Sequence, residues 1–452
     1  MGIFSSHSRI AAALLGAAIL CPGRSEAQTK QNRQVPVDSL IYDLKNPDPV
    51  RRKDAATALG MNKVQRAVPD LVAAAKDADP SVRREVVIAL DRMVDARAIP
   101  AFVSLSSDSE KDIRERCIHG FVNLYLPQEG GLTTTLNRVA NFFNPWSDEW
   151  AEVVIEPGVA VDPAVVPALR DRLMQDADEG IRVKAARSLG ILRGRDAVPQ
   201  LLEALRQDRS NAVRFEILRS LHKVNDASVA RELVTYCTYS DARVRNQAVF
   251  CVSRFRYKEG VPELTRLYEK ESALPAKQAD RQYREHLLDA LAFIADPASK
   301  DLFAKELKNP DDMLRLHAIE GTARLADAAQ VTEMSRDHLR EKDPKIRTAQ
   351  AYALYRMGRK EFLDEVVCAL ANRKSHNEAA QYLVEMRPEE LPELYAQIRN
   401  NDVAVRESLA ELLGTIGDSG AVAPLQELAK DHRGQIMQLA NRSLRRVMAR
   451  QQ

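Results

Sequence analysis

Asp79-Pro80-Ser81-Val82-Arg83-Arg84-Glu85-Val86-Val87-Ile88-Ala89-Leu90 decides the fold, because most of the chain beyond the N-terminal segment is a variation on this stretch. Asp79 suits a helix N-cap, its carboxylate able to accept from an orphan N–H of the first turn, and Pro80 suits the first helical position, where a missing N–H costs nothing. Counted from Arg83, apolar Val86 and Leu90 stand at +3 and +7 and small Ala89 at +6. That is the period of about 3.6 residues expected of a helix that buries one face. Such a face needs a neighbour.

The neighbours are further copies. Positions equivalent to Arg83 fall at Arg52, Arg114, Arg182, Arg214, Arg245, Arg284, Arg315, Arg347 and Arg406, with His376 and Met437 as degenerate versions, and most steps are 29 to 32 residues. The +7 column reads Leu59, Leu90, Phe121, Leu189, Leu221, Val252, Leu291, Thr322, Leu354, Leu383, Leu413 and Leu444, so the register does not rest on the arginine alone. Asp recurs four residues before the arginine, as Asp48, Asp79, Asp178, Asp241, Asp280, Asp311, Asp343 and Asp402, with Glu110 as a near substitute. Upstream of most copies an aliphatic residue and a proline open a second short amphipathic run, as at Val68-Pro69, Ile99-Pro100, Val166-Pro167, Val198-Pro199 and Leu391-Pro392. Each unit therefore reads as a two-helix hairpin. The recurring pairs Asp79/Arg83, Asp178/Arg182, Asp241/Arg245, Asp343/Arg347 and Asp402/Arg406 read as a structural ladder, because a residue kept for one partner would vary along the surface and these do not.

The two patterns, x-Pro-x-Leu on the first helix and Asp-Pro-x-Val-Arg-x-x-Ala-x-x-Ala-Leu-Gly on the second, resemble the HEAT-like repeats of the phycobilisome-lyase group over about residues 36–448. The resemblance implies an exported bacterial protein of the all-α class, a right-handed α-solenoid of about twelve HEAT-like hairpins. It implies a fold used mainly for binding and carries no lyase activity with it.

Residues 1–27 stand outside the repeats. Arg9 supplies a positive start, Ile10–Leu20 is an apolar run too short for a permanent span, and Ser25-Glu26-Ala27 places small residues where signal peptidase requires them. The expectation is a signal peptide over 1–27, a linker over 28–35, repeats one to three over 36–126, an insert over 127–162 and repeats four to twelve over 163–450. Cys21 follows Leu20, where a lipoprotein signal calls for a small residue, so a cleaved soluble form in the periplasm or outside the cell is the reading preferred to a lipoprotein. Losing Arg9, Arg24 and Glu26 leaves 64 basic against 63 acidic residues, a net charge of +1 that gives nucleic acid no polybasic footprint. The mature chain has no transmembrane segment. Its four cysteines, Cys117, Cys237, Cys251 and Cys368, lack metal or redox spacing and read as free thiols, Cys117 and Cys251 at buried positions.

Two places break the period. Arg114 to Arg182 spans 68 residues, and the excess, placed at 127–162, holds both tryptophans, Trp146 and Trp150. It is either a flap over an imperfect joint between the third and fourth hairpins or an aromatic docking element. Arg245 to Arg284 spans 39 residues, lengthening a polar turn around Ser272–Ala279.

No catalytic motif is present: there is no GxxxxGK[ST], HExxH, GxSxG or EF-hand loop, and none of the seven mature histidines is followed by glutamate. His286 and His317 share the +2 position of adjacent repeats, but without a carboxylate or third ligand in that register no metal and no cofactor are expected. Function falls to the face lined by the second helices, where the +5 column varies: Thr57, Ile88, His119, Arg187, Arg219, Phe250, Asp289, Glu320, Tyr352, Gln381 and Glu411. His119, Arg187, Arg219, Phe250 and Tyr352, with Trp146 and Trp150, are the candidate partner-binding residues. The expected function is a non-enzymatic scaffold for a protein partner, with an enzyme or ligand carrier whose site lies at the insert as the alternative.

Overall fold

The computed structural model describes residues 36–126, 153–155, 158–275 and 277–450. The proposed leader and linker, Trp146 and Trp150 lie outside the described residues. Among those residues the chain is an all-α solenoid without strands. Its twelve hairpins are numbered here by their second helices: Pro49–Met61, Pro80–Met93, Lys111–Asn123, Glu179–Ile191, Asn211–Val224, Ala242–Arg254, Arg281–Ile294, Asp312–Leu325, Pro344–Arg356, His376–Val384, Val403–Ile416 and Gly434–Ala449.

The recurrent aspartates start these helices. Asp79 accepts from the Ser81 N–H, Asp241 from Arg243 and Val244, Asp343 from Lys345 and Ile346, Asp178 from Ile181 and Asp402 from Ala404. Glu110, one methylene longer, makes no such bond. The helices stop at a position that their residue types seldom announce. Eleven residues after the ruler arginine the backbone is left-handed in eight hairpins, at Lys63, Val94, Arg193, Asn225, Arg256, Ala295, Ala326 and Gly358. Only Asn225 and Gly358 are types that favour this conformation; after Lys63, Arg193 and Arg256 the next residue's N–H donates back to Leu59, Leu189 and Val252, carbonyls of the helix just ended, which closes the stop. Small residues then let second helices meet. A Cβ on Gly60 would lie 2.6 Å from Ala89 of the next hairpin, and one on Gly190 2.7 Å from Ser220.

The +3 and +7 side chains fill a core that runs the length of the stack, parting into two clusters within the eighth hairpin, between Leu314 and Leu316. Along the edge made by the turns inside each hairpin runs a column of arginine rungs. Nε and Nη2 of Arg83 donate to Asp108 of the next hairpin at 2.6 and 3.0 Å, while Nη1 donates to the carbonyls of Asp77 and Ala78 in its own turn. The same fork joins Arg52 to Asp77, Arg114 to Asp176 and Arg182 to Asp208, and Arg406 reaches Asp431 through Nε at 3.2 Å. The acid of each rung is therefore not the capping Asp of the ruler but a second residue, two positions before the next cap. Farther along the rungs degrade: Arg245 reaches Asp280 at 2.5 Å, Arg284 stays 4.0 Å from Asp311, and Arg347 turns to Glu365. His376 keeps only the inner half of a rung, its Nδ1 2.7 Å from the Leu370 carbonyl, and Met437 is exposed.

The long break leaves the stack intact. The Arg114–Asp176 fork spans it, Lys111 lies 2.8 Å from Asp178, and Lys184 pairs with Glu115. The described end of the insert is tied down: the buried Ile155 N–H donates to the Ile191 carbonyl at 2.9 Å, and the Asp162 N–H donates to the Tyr125 hydroxyl. The shorter break extends the first helix of the seventh hairpin to Val261–Ser272 before the loop begins. Cys117, Cys237 and Cys251 are buried free thiols and Cys368 an exposed one; burial pushes the Cys251 thiol up to about 12, which leaves it unreactive at neutral pH. No helix among the described residues is long and apolar enough to cross a membrane.

Candidate functional site

The +5 column lies on the face of the second helices turned away from the first helices, and lateral polar contacts knit it from hairpin to hairpin. The Thr57 hydroxyl donates to Glu85, His119 Nδ1 lies 2.9 Å from Asp91, and Arg187 Nη2 donates to Glu216 at 2.8 Å with Arg219 3.5 Å from the same carboxylate. This corrects an expectation. Arg187 and Tyr352 are only 8% and 2% exposed, so they do not present themselves to a partner as exposed side chains, and Arg187→Glu would set two carboxylates together in a buried position. Phe250 is half-buried under the Arg254 guanidinium, 5.0 Å from its ring centre.

The network is densest in hairpins seven to ten. His317 sits between three carboxylates: Nδ1 is 3.1 Å from Glu320 and 3.7 Å from Asp289, and Nε2 is 4.0 Å from Glu285. Glu320 also accepts from the Tyr382 hydroxyl at 2.7 Å. Arg324, 4% exposed at its side chain, donates from Nε and Nη2 to the two oxygens of Glu385 at 2.8 Å each, and the Tyr352 hydroxyl reaches the same carboxylate at 3.0 Å. The Tyr352 and Tyr382 rings stack 4.5 Å apart, while Phe293 carries the Arg254 and Arg324 guanidinium groups at 4.0 and 5.2 Å.

Two of these contacts fix the shape. Glu320 to Tyr382 and Arg324 to Glu385 join the eighth hairpin to the tenth, past the ninth. Neighbouring helices pack about 8–10 Å apart, so helices two steps apart touch through side chains only where the stack bends toward them. The second helices therefore line the inner side of the curve here.

The electrostatics lock the protons. Burial by itself would lower the pKa of His317; the facing carboxylates of Glu285 and Glu320 outweigh it and raise it to about 10. Burial would raise Glu320, but His317, Arg324 and the Tyr382 hydroxyl bring it down to about 2. Burial raises both tyrosines. These shifted groups, moved to either side of neutrality, are poorly suited to proton transfer near pH 7.

One donor set could take a cation. Asp289, His317 and Glu320 each offer one ligand atom, all within 4.8 Å of one another. Donor separations around a bound zinc ion are about 3.0–3.4 Å; the 3.1 Å between His317 and Glu320 meets that range and the 3.7 Å between His317 and Asp289 exceeds it. His286 is not part of the group. The histidines stand at +2 with no carboxylate beside them in that register; Asp289 and Glu320 stand at +5, one turn along the same face. A divalent ion would have to displace the His317 proton, so the imidazolium already supplies the cation these carboxylates require. Arg324 and Glu385, at +9, were also missed; extending the variable column by one more turn would have found them.

A match to a known repeat family agrees with this architecture. A family model described as HEAT repeats matches residues 37–121, 152–221 and 198–279. No curated protein sequence matches the chain. Among solved structures, an engineered protein aligns over 91% of this chain and 98% of its own at 17% identity and a TM-score of 0.40. Importin beta aligns over 91% and 62% at 12% identity and a TM-score of 0.45. The CpcE–CpcF complex of phycocyanin lyase from Nostoc sp. PCC7120 aligns over 68% and 92% at 16% identity and a TM-score of 0.26. With HEAT repeats matched on both sides of the insert and the same hairpin continued to Ala449, the chain carries HEAT repeats and folds as an α-solenoid of that kind.

Proposed function

We propose that the protein is an exported scaffold that binds a protein partner through the inner face of its curve and through the insert at 127–162. The observation that carries this reading is the joint between the third and fourth hairpins. It closes with a full Arg114–Asp176 rung and two further ion pairs, none of them supplied by the insert. Ion pairs drawn from the hairpins themselves favour the docking reading of the insert over the flap, with Trp146 and Trp150 as its aromatic anchors. Export rests on the positive, apolar and small-residue order of residues 1–27. An acid–base enzyme centred on the inner cluster has weaker support, because His317 and Glu320 sit far from the pKa that such work near neutrality requires; an enzyme or ligand carrier with its site at the insert is the second reading.

The test replaces residues 127–152 by a short linker and compares affinity capture from the native envelope fraction, read by mass spectrometry, with that of the full chain. Loss of one reproducible partner with an unchanged melting temperature is the expected result. A marked fall in melting temperature with the same partners retained would make the insert a flap. Sequencing the N-terminus of the mature protein tests export, with cleavage expected near Gln28.

A further inference from the structure

The rung between the eighth and ninth hairpins is missing, and the space it leaves is a cavity. Arg315 keeps the inner half of the pattern, Nη1 donating to the Asn309 carbonyl at 2.8 Å, but Nη2 turns back to the exposed Asp312 on its own helix. Glu341 stands where the rung acid belongs, two residues before the cap Asp343; instead it accepts the Lys342 and Asp343 N–H groups at 2.7 Å each. Between them lies a cavity of about 240 Å³ with Leu307, Ile319 and Met334 as its apolar lining.

A second observation comes from the core column. At +3 the hairpins read Ala55, Val86, Cys117, Ala185, Ile217, Ala248, Leu287, Ala318, Gln350, Ala379, Leu409 and Ala440. Gln350 alone carries an amide. It is 4% exposed, it lines this cavity, and its Oε1 is buried without a hydrogen-bond partner. Stacking calls for an apolar side chain there, and a buried acceptor without a donor is destabilising. A position that breaks the local rule with no compensating contact points to a ligand.

We propose that this gap binds a small zwitterion with an apolar body, an α-amino acid of the leucine kind. Its carboxylate takes the place of the absent rung acid beside Arg315, its ammonium donates to Gln350 Oε1, and its side chain lies on Ile319 and Met334. The remaining wall mixes Lys308 and Arg340 with Glu333 and Asp337, a balance suited to a ligand of no net charge. The volume, just below the range of drug-sized pockets, suits a molecule of this size.

Calorimetric titration of the full chain with L-leucine, 4-methylpentanoate and isopentylamine tests it, with a parallel thermal shift. L-Leucine is expected to bind in the millimolar range or tighter, 4-methylpentanoate at least about tenfold more weakly, and the amine least. Gln350→Leu restores the apolar column, so it should melt at or above the wild-type temperature while leucine affinity falls about tenfold or more. No heat with L-leucine at about 10 mM, equal binding of the amine, or undiminished affinity in Gln350→Leu would each overturn the proposal. The wild-type titration decides even if the variant does not fold.

Discussion

Arg83 and Arg324 make the same chemical contact in different regions of the molecule. Each presents Nε and Nη2 to both oxygens of one carboxylate, Asp108 for the first and Glu385 for the second. On the turn edge the contact recurs from hairpin to hairpin with the acid in the same register. On the inner face it occurs between the eighth and tenth hairpins, among stacked tyrosines and a histidine enclosed by carboxylates. Recurrence marks what stacking requires of every unit; the single network marks where this stack bends. Similar charges at similar distances thus do different work, and the repeat register separates them.

The largest effect should come from the inner face. Glu320→Ala leaves His317, Arg324 and the Tyr382 hydroxyl short of a shared acceptor, and chemical denaturation should register a loss of about 3–5 kcal/mol. Replacing Arg324 and Glu385 together by Met and Leu should cost less, because Glu320 keeps His317 as its counter-charge and the Tyr352 hydroxyl is what loses an acceptor. If the two results matched, the network would be no more than a set of independent contacts.

The pH profile isolates the same network. Glu320 is depressed, so its contribution is complete above the ordinary glutamate range near 4.5 and is lost as pH falls toward about 2. His317 is raised, so its contribution is complete below about 6.5 and is lost as pH rises through about 10. The melting temperature should therefore be highest between pH 4.5 and 6.5 as far as this pair is concerned. His317→Leu should remove the part of the alkaline decline that wild type shows through pH 10.

A single rung should matter less. Arg83→Ala strands Asp108 and two turn carbonyls, for an expected loss of about 1–3 kcal/mol with helicity retained by circular dichroism. The smallest effect belongs to exposed pairs outside both regions. Arg399→Ala, which removes the contact to Glu427, should leave the denaturation midpoint unchanged, and a clear shift there would blur the distinction between structural and incidental charges.

Much of this was legible beforehand. The +3 and +7 columns, the capping aspartates and the aliphatic-proline starts specify the hairpins, because a helix period, a cap and a proline act within a few residues of one another. The stops were less visible. Val94 and Ala295 take a left-handed conformation that their own residue types disfavour and so do not announce. The rung acids escaped for a related reason: Asp77 and Asp108 sit two residues before a more conspicuous cap, and only stacking brings the previous arginine to them.

The sequence by itself determined the unit, its register, the number of copies and the two places where the period breaks. The tertiary structure decided which charges meet. Arg324 and Glu385 are 61 residues apart and Glu320 and Tyr382 62, and each pair touches only because small rotations at successive joints add up to a bend. The same accumulated geometry leaves Arg315 without a rung acid and Gln350 without a donor. A column of letters shows that Gln350 differs from its neighbours; only the packed joint shows that it faces a cavity.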